Sequence, residues 1–373
     1  MDMRKMKRQA GFSMLELLVS MAILVTIVGV TLKALVDAQN ASQAVGLLGD
    51  MTQNLRASLT FMSRDLTQTG EGVSQGGIPF PQGGTAKKIN WPSPPGKAYT
   101  YPLAAPMPQS TNLTPIVPAD ALGLTVNGAV TDMVSLMFVD NSLIDTNNHW
   151  LSEYPIYSAA NPVCNGIIAS TGLSVTFDAN CIKITGNDGI KAGDLILFTT
   201  SSGTAIQTVT SVTGQVVAFA ASDAFNFNGQ LTTATTGTLK QLQNGAAGAQ
   251  GPYPPITASR VKIVSYWIDN VTNVKVPTLI RQVNFNPPYA VGQGIEDLQI
   301  SYGITEPSSS YGTAGPGNAK YPISPDTPSQ IRTVNLFVAA RTENPYSVNG
   351  QYFRDNMVST VCIRSLSFVN RYP

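Results

Sequence analysis

The sequence predicts an α+β fold in which one long N-terminal helix packs against a large β-rich globular head with an antiparallel sheet. Three observations predict it. Residues 12–32 form an apolar run with a single charge in it, and an apolar stripe at helical spacing follows from residue 47 to residue 66. From about residue 119 the chain breaks into short segments rich in Val, Ile, Phe and Tyr, separated by Gly, Asn and Ser clusters. Only 12% of residues are charged, against about 25% in an average domain, while Gly and Pro supply 57 of 373 residues. That composition suits a β-rich extracellular surface with long polar loops.

The basic excess is local. Residues 1–11 carry Arg4, Lys5, Lys7 and Arg8 against Asp2. Removing these four bases and one acid from the totals leaves 19 basic and 21 acidic residues. A body so balanced has no electrostatic footprint for nucleic acid or anionic lipid. The 21 residues from Phe12 to Leu32 would span about 31 Å as a helix, matching a hydrocarbon core of roughly 30 Å. The basic flank places the N-terminus in the cytoplasm and the rest outside.

Within this run stands one carboxylate, Glu16, in a place where a charge costs a few kcal/mol. An ordinary secretory signal, with Val36-Asp37-Ala38 imitating a cleavage site, leaves that residue unexplained. So does a plain single-span anchor, and neither accounts for the abrupt start of the apolar run at a Gly-Phe junction. The stretch GFSMLELLVSMAILV (11–25) resembles the N-terminal signature of type IV pilins and type II secretion pseudopilins. That resemblance implies cleavage by a prepilin peptidase between Gly11 and Phe12, and N-methylation of Phe12. It also implies that Glu16, the fifth residue of the mature chain, pairs with the Phe12 amine of a neighbouring subunit and sets the stagger of a filament core. One departure is the lack of any proline from Phe12 to Ile78, since many major pilins carry one near the end of the apolar run.

The second half of the helix, residues 33–70, is amphipathic. Leu47, Met51, Leu55, Leu59, Met62 and Leu66 form a stripe on which a head can sit, with Asp50, Arg56, Arg64 and Asp65 largely off it. Gly70 and Gly72 stop the pattern, and Gly29, Gly46 and Gly49 are points where the helix can bend. Residues 71–118, dense in proline and glycine, read as loop with little strand of its own. The head follows over 119–373, with a variable part to 255 and a more regular sheet over 256–373. In the variable part, 133–139, 195–200, 206–212 and 216–220 read as strands, and NGAAGAQGPYPP (244–255) as a linker. In the regular part the strands are 261–268, 276–283, 298–304, 332–340 and 358–368.

Five stretches resemble the PilW family of minor pilins: FMSRDLTQTG (61–70), RVKIVSYWID (260–269), LIRQV (279–283), GIEDLQISYGI (294–304) and IRTVNLFVAARTE (331–343). The resemblance implies a low-abundance subunit that helps initiate or cap pilus assembly. Its partners would be the prepilin peptidase, other minor and major pilins, and the assembly platform of the inner membrane. The subunit would sit in the bacterial inner membrane with a periplasmic head, and later in the extracellular pilus. A J-type pseudopilin of type II secretion is the nearest rival, and a membrane-anchored adhesin or ligand-binding module is the alternative from another class.

No catalytic constellation appears, and no cofactor is expected. Any nucleophilic triad must recruit the single histidine, His149, which lies in the polar loop DNSLIDTNNHW. Adjacent Glu296 and Asp297 point to opposite faces of a strand and read as surface groups at its entrance. Asp140, Asp145 and Asn147 offer oxygen ligands for calcium without the EF-hand spacing. Cys164 and Cys181 are either two free thiols or a disulfide, which would add about 3 kcal/mol by loop closure. Cys362, alternating with Val361 and Ile363, reads as a buried free thiol.

Overall fold

The computed structural model describes residues 11, 13–74, 76–79, 81, 88–102, 112–140, 166–177, 189–200, 203–228, 236–242, 257–305, 320–322, 327–346 and 350–367. Helix α1 runs unbroken from Met14 to Gln68, 55 residues, or about 80 Å. Gly29, Gly46 and Gly49 do not interrupt it. Its end is anchored: the Thr69 N–H donates to the Leu66 carbonyl at 3.2 Å, and the Gly70 N–H donates to the Met137 carbonyl at 2.8 Å. The chain leaving the helix is therefore tied at once to a strand of the head.

The head is built on two antiparallel sheets. The seven-stranded one centres on Thr257–Asp269, a strand of 13 residues. That strand pairs with Leu195–Thr200 along its first part, Met133–Val139 along its middle and Thr278–Val283 along its last part. Gly203–Thr208, Ile116–Ala119 and Tyr289–Gln293 flank these. The three-stranded sheet consists of Ile295–Ile304, Ile331–Arg341 and Arg354–Cys362. Strand alternation sorts the core. Val264, Tyr266 and Ile268 face the helix side with Met51, Leu55, Leu59, Met62 and Leu66, together with Val334, Leu336, Val338 and Ala340 of the smaller sheet. Val261, Ile263 and Trp267 face the other way, into a second cluster covered by Trp91 and Tyr101. A third cluster lies under a four-stranded sheet of Gly166–Ile168, Ser174–Phe177, Ser211–Thr213 and Val216–Ala218.

The long helix and the antiparallel β-rich head match the expected fold class. Several details differ. The described residues of 71–118 include short strands, and two of them, Ile89–Trp91 and Tyr99–Tyr101, supply the cover of the second cluster. The strand expected over 206–212 is two strands in different sheets, Gly203–Thr208 and Ser211–Thr213. The split falls where the Val209 N–H donates to the Asp194 carbonyl and the Thr210 N–H to the Ala218 carbonyl, so the chain changes partners between adjacent residues. The strand expected over 358–368 runs Arg354–Cys362 and ends in a helical turn, Arg364–Ser367, that places Leu366 in the helix-side core beside Gly70. Cys362 is exposed rather than buried, because Val361 and Ile363 take the inward positions on either side of it.

Helix α1 lies close against the head at Gly292. A Cβ built there would lie 2.1 Å from Ser58 Oγ and 3.0 Å from the Asn54 carbonyl oxygen. Gly292→Ala is therefore expected to destabilise the full-length protein in detergent by about 1–3 kcal/mol, read as a lowered urea midpoint. Adding Ser58→Ala should recover part of the loss. An unchanged midpoint in the single variant would show that the helix does not seat so tightly.

Candidate functional site

The candidate site is helix α1 itself, which has a free end and a seated end. At the free end Ser13 caps the helix. Its Oγ accepts from the Leu15 N–H at 3.2 Å, and Glu16 Oε2 accepts from the Ser13 N–H at 3.1 Å. This reciprocal pair is a capping box, present in the sequence as Ser13-Met14-Leu15-Glu16. The carboxylate also sits at the positive end of the helix, where negative charge is favoured. One oxygen of Glu16 thus has a local partner. Gly11 is exposed, while Phe12 lies outside the described residues. From Met14, 92% exposed, to Val36 the apolar side chains touch nothing in the head, and the segment is apolar and long enough to cross a membrane.

At the seated end the helix buries a charge. Asp65 Oδ2 accepts from the Tyr266 hydroxyl at 2.6 Å and from Arg281 Nε at 2.6 Å, with side chains 3% and 13% exposed for Asp65 and Arg281. Arg281 also donates to the Tyr289 hydroxyl and lies over that ring, 5.5 Å from its centroid. Burial raises the Tyr266 hydroxyl, and the adjacent Asp65 charge and hydrogen bond raise it further, so it stays a donor. Burial alone would lower Arg281, but its hydrogen bond and ion pair with Asp65 hold it above the ordinary guanidinium value. The result is an Asp65–Arg281 ion pair buried beneath the head.

Asp65 was placed off the apolar stripe by sequence, and the structure puts it on the buried face. Met51, Leu55, Ser58, Met62 and Asp65, spaced 4, 3, 4 and 3, are all buried. That second seam is the signal that reveals Asp65. Glu296 also differs from expectation. It is 11% exposed rather than a free surface group, accepts from Arg354 Nε at 2.6 Å and Asn127 Nδ2 at 2.7 Å, and lies 3.8 Å from Arg341 Nε. The irregular pairing between Ile295 and Asp297 turns it to meet these partners.

Asp140 is buried and pairs with Arg260 at 2.7 Å and Lys262 at 3.0 Å, so its charge is engaged within the head. The other calcium candidates, Asp145 and Asn147, lie outside the described residues, as do His149, Cys164 and Cys181. Among the described residues, no three His, Cys, Asp or Glu side chains gather as a metal site.

One comparison with known families bears on the free end. The model of the prokaryotic N-terminal methylation motif matches residues 6–32. The chain carries a type IV pilin-like signature at its N-terminus. No curated protein and no solved structure matches the chain. The matched segment holds the Gly11-Phe12 junction, the capping box and the apolar half of α1. Motif and helix together are consistent with anchoring of a pilin or pseudopilin in the inner membrane.

The buried ion pair generates a test. Arg281→Ala leaves the Asp65 carboxylate without its cation and should cost about 3–5 kcal/mol in full-length protein, whereas Asp65→Leu with Arg281→Met should cost far less. Urea midpoints of the two variants check this, and equal losses would mean that packing, not charge, governs the site.

Proposed function

We propose that this chain is a minor type IV pilin of the PilW kind, a structural and assembly subunit without enzymatic activity. The observation that carries the reading is continuity. The methylation motif runs straight into one helix whose first half is apolar and exposed and whose second half is buried under a head. A signal-peptide reading fits poorly, since Val36-Asp37-Ala38 lies inside the unbroken helix. The five stretches that resemble the PilW family come together around the helix seat. They supply Asp65, Tyr266 and Arg281, and two strands of the smaller sheet. That convergence supports a likeness of the head as well as of the leader. The N-terminal signature is shared with type II secretion pseudopilins, and a J-type subunit is the second reading.

On this proposal the prepilin peptidase cuts between Gly11 and Phe12 and methylates the Phe12 amine. The subunit waits in the inner membrane with its head in the periplasm. The assembly platform then extracts it to join other minor and major pilins. Glu16, with one oxygen on the Ser13 N–H, offers the other to the Phe12 amine of a neighbour. Cys164 and Cys181 form a disulfide in the oxidising periplasm. No nucleic acid or cofactor takes part.

Intact-mass measurement of the purified protein is expected to give a chain starting at methylated Phe12, and a start at Gln39 would overturn the reading. A second test isolates charge from shape. Gln at the third helical position also completes a capping box, so Glu16→Gln should be processed and inserted normally. Its incorporation into sheared filaments should fall about tenfold or more, because the neighbour's amine loses its counter-charge. Wild-type incorporation would leave Glu16 as a helix cap alone.

A further inference from the structure

One buried carboxylate lies where the two main sheets meet. Asp132 immediately precedes the strand Met133–Val139 of the larger sheet and is 3% exposed. Its N–H donates to the Leu298 carbonyl at 2.9 Å. Its Oδ2 accepts from the Ile300 N–H at 2.8 Å, and its Oδ1 accepts from the Ala121 N–H at 2.8 Å. A single side chain thus joins the larger sheet, the Ile295–Ile304 strand of the smaller sheet, and the turn after Ile116–Ala119.

The charged groups around it are few. Asp120 faces it from the turn, and Lys320 reaches Asp120 at 3.5 Å with a side chain 73% exposed. From the Ile295–Ile304 strand comes Tyr302, whose buried hydroxyl has no hydrogen-bond partner among the described residues and feels the charges of both Asp132 and Asp120. On the same strand Glu296 is engaged with Arg354, and Asp297 accepts from Gln299. Asp132 therefore has two backbone donors, a neighbouring like charge and one distant, solvated cation.

We propose that Asp132 is a proton-binding joint between the two sheets, one that tightens the head when its surroundings become mildly acidic. Two backbone donors favour the charged form, but burial opposes it more strongly and Asp120 adds to the opposition, so the carboxyl is pushed up to about 6. A carboxyl whose folded-state value lies above its unfolded value of about 4 adds stability that is complete below about 4 and is lost as pH rises through about 6. The protonated carboxyl keeps a carbonyl oxygen for one N–H. It also gains an O–H donor.

The test uses full-length protein in detergent, with urea unfolding measured from pH 4.5 to 7.5. Between pH 6 and 5 the wild-type folding constant should gain by up to about tenfold per pH unit relative to Asp132→Asn, the slope of one bound proton. A merely structural role would give a constant offset between the two proteins, and that result would overturn the proposal. Should Asp132→Asn fail to fold, Lys320→Met alters only an exposed side chain and removes the cation that favours ionisation. It is expected to move the pH-dependent step upward. A ratio to wild type that stays constant across the range would likewise overturn the proposal.

Discussion

The seating of helix α1 where the two sheets of the head meet is the contact on which the other parts depend. Met51, Leu55, Leu59, Met62 and Leu66 share one core with residues of both sheets. Their burial contributes on the order of 10 kcal/mol, comparable to the whole net stability of a domain. Without the helix, apolar surface of both sheets that now packs on it would lie open. The helix is also the only described connection between the head and the segment able to cross a membrane. A pull or push on that segment reaches the head through this seat.

Apolar packing alone does not say how far the helix may slide or turn in its groove. A stripe of Leu and Met offers similar contacts one turn along, and such side chains adapt easily. The buried Asp65 does not adapt. Its carboxylate is matched by Tyr266 and Arg281 from two neighbouring strands, and a shift of one turn would strand it in an apolar core without a cation. Net stabilisation from such a pair is small, because desolvation offsets the attraction, and its effect lies in the cost of breaking it. The ion pair therefore specifies register while the apolar stripe supplies affinity. Gly292 adds a steric limit at the other end of the seat, where only a residue without Cβ fits against Ser58.

The same division explains what could be read from the sequence. Periodicity of 3.6 or 2 residues is local, so the helix, the strand Met133–Val139 and most strands after 256 were legible from spacing and side-chain type. Buried polar groups are not local. Asp65 meets Arg281 across 216 positions, Asp132 meets Ile300 across 168, and Asn127 meets Glu296 across 169. A charged residue counts as exposed until its partner is known, which is why the sequence alone leaves Asp65 off the apolar stripe and Glu296 on the surface. The short strands within 71–118 were missed for a related reason. Pro and Gly make the segment look irregular, but Trp91 and Tyr101 bring it onto the second core, and burial of large aromatic side chains outweighs weak local propensity.

At the free end of the helix, the assembly role proposed for Glu16 meets a local one in the same side chain. A carboxylate in an apolar run calls for a partner, and in the single chain Glu16 finds one in the Ser13 N–H. That bond satisfies a donor which every helix start leaves open, so it holds whether or not a neighbour is present. A carboxylate has capacity for further donors, and the helix end that favours its charge is also where a cleaved chain would present a new amine. The capping box thus orients Glu16 without using it up. It holds the charge at the first turn of the helix, where, on the proposed function, the amine of a neighbouring subunit would meet it. The free end of the helix therefore resembles its seated end. At the seated end an apolar surface supplies the attraction and Asp65 fixes where the helix stops; on the proposed function Glu16 would do the same for a neighbouring subunit.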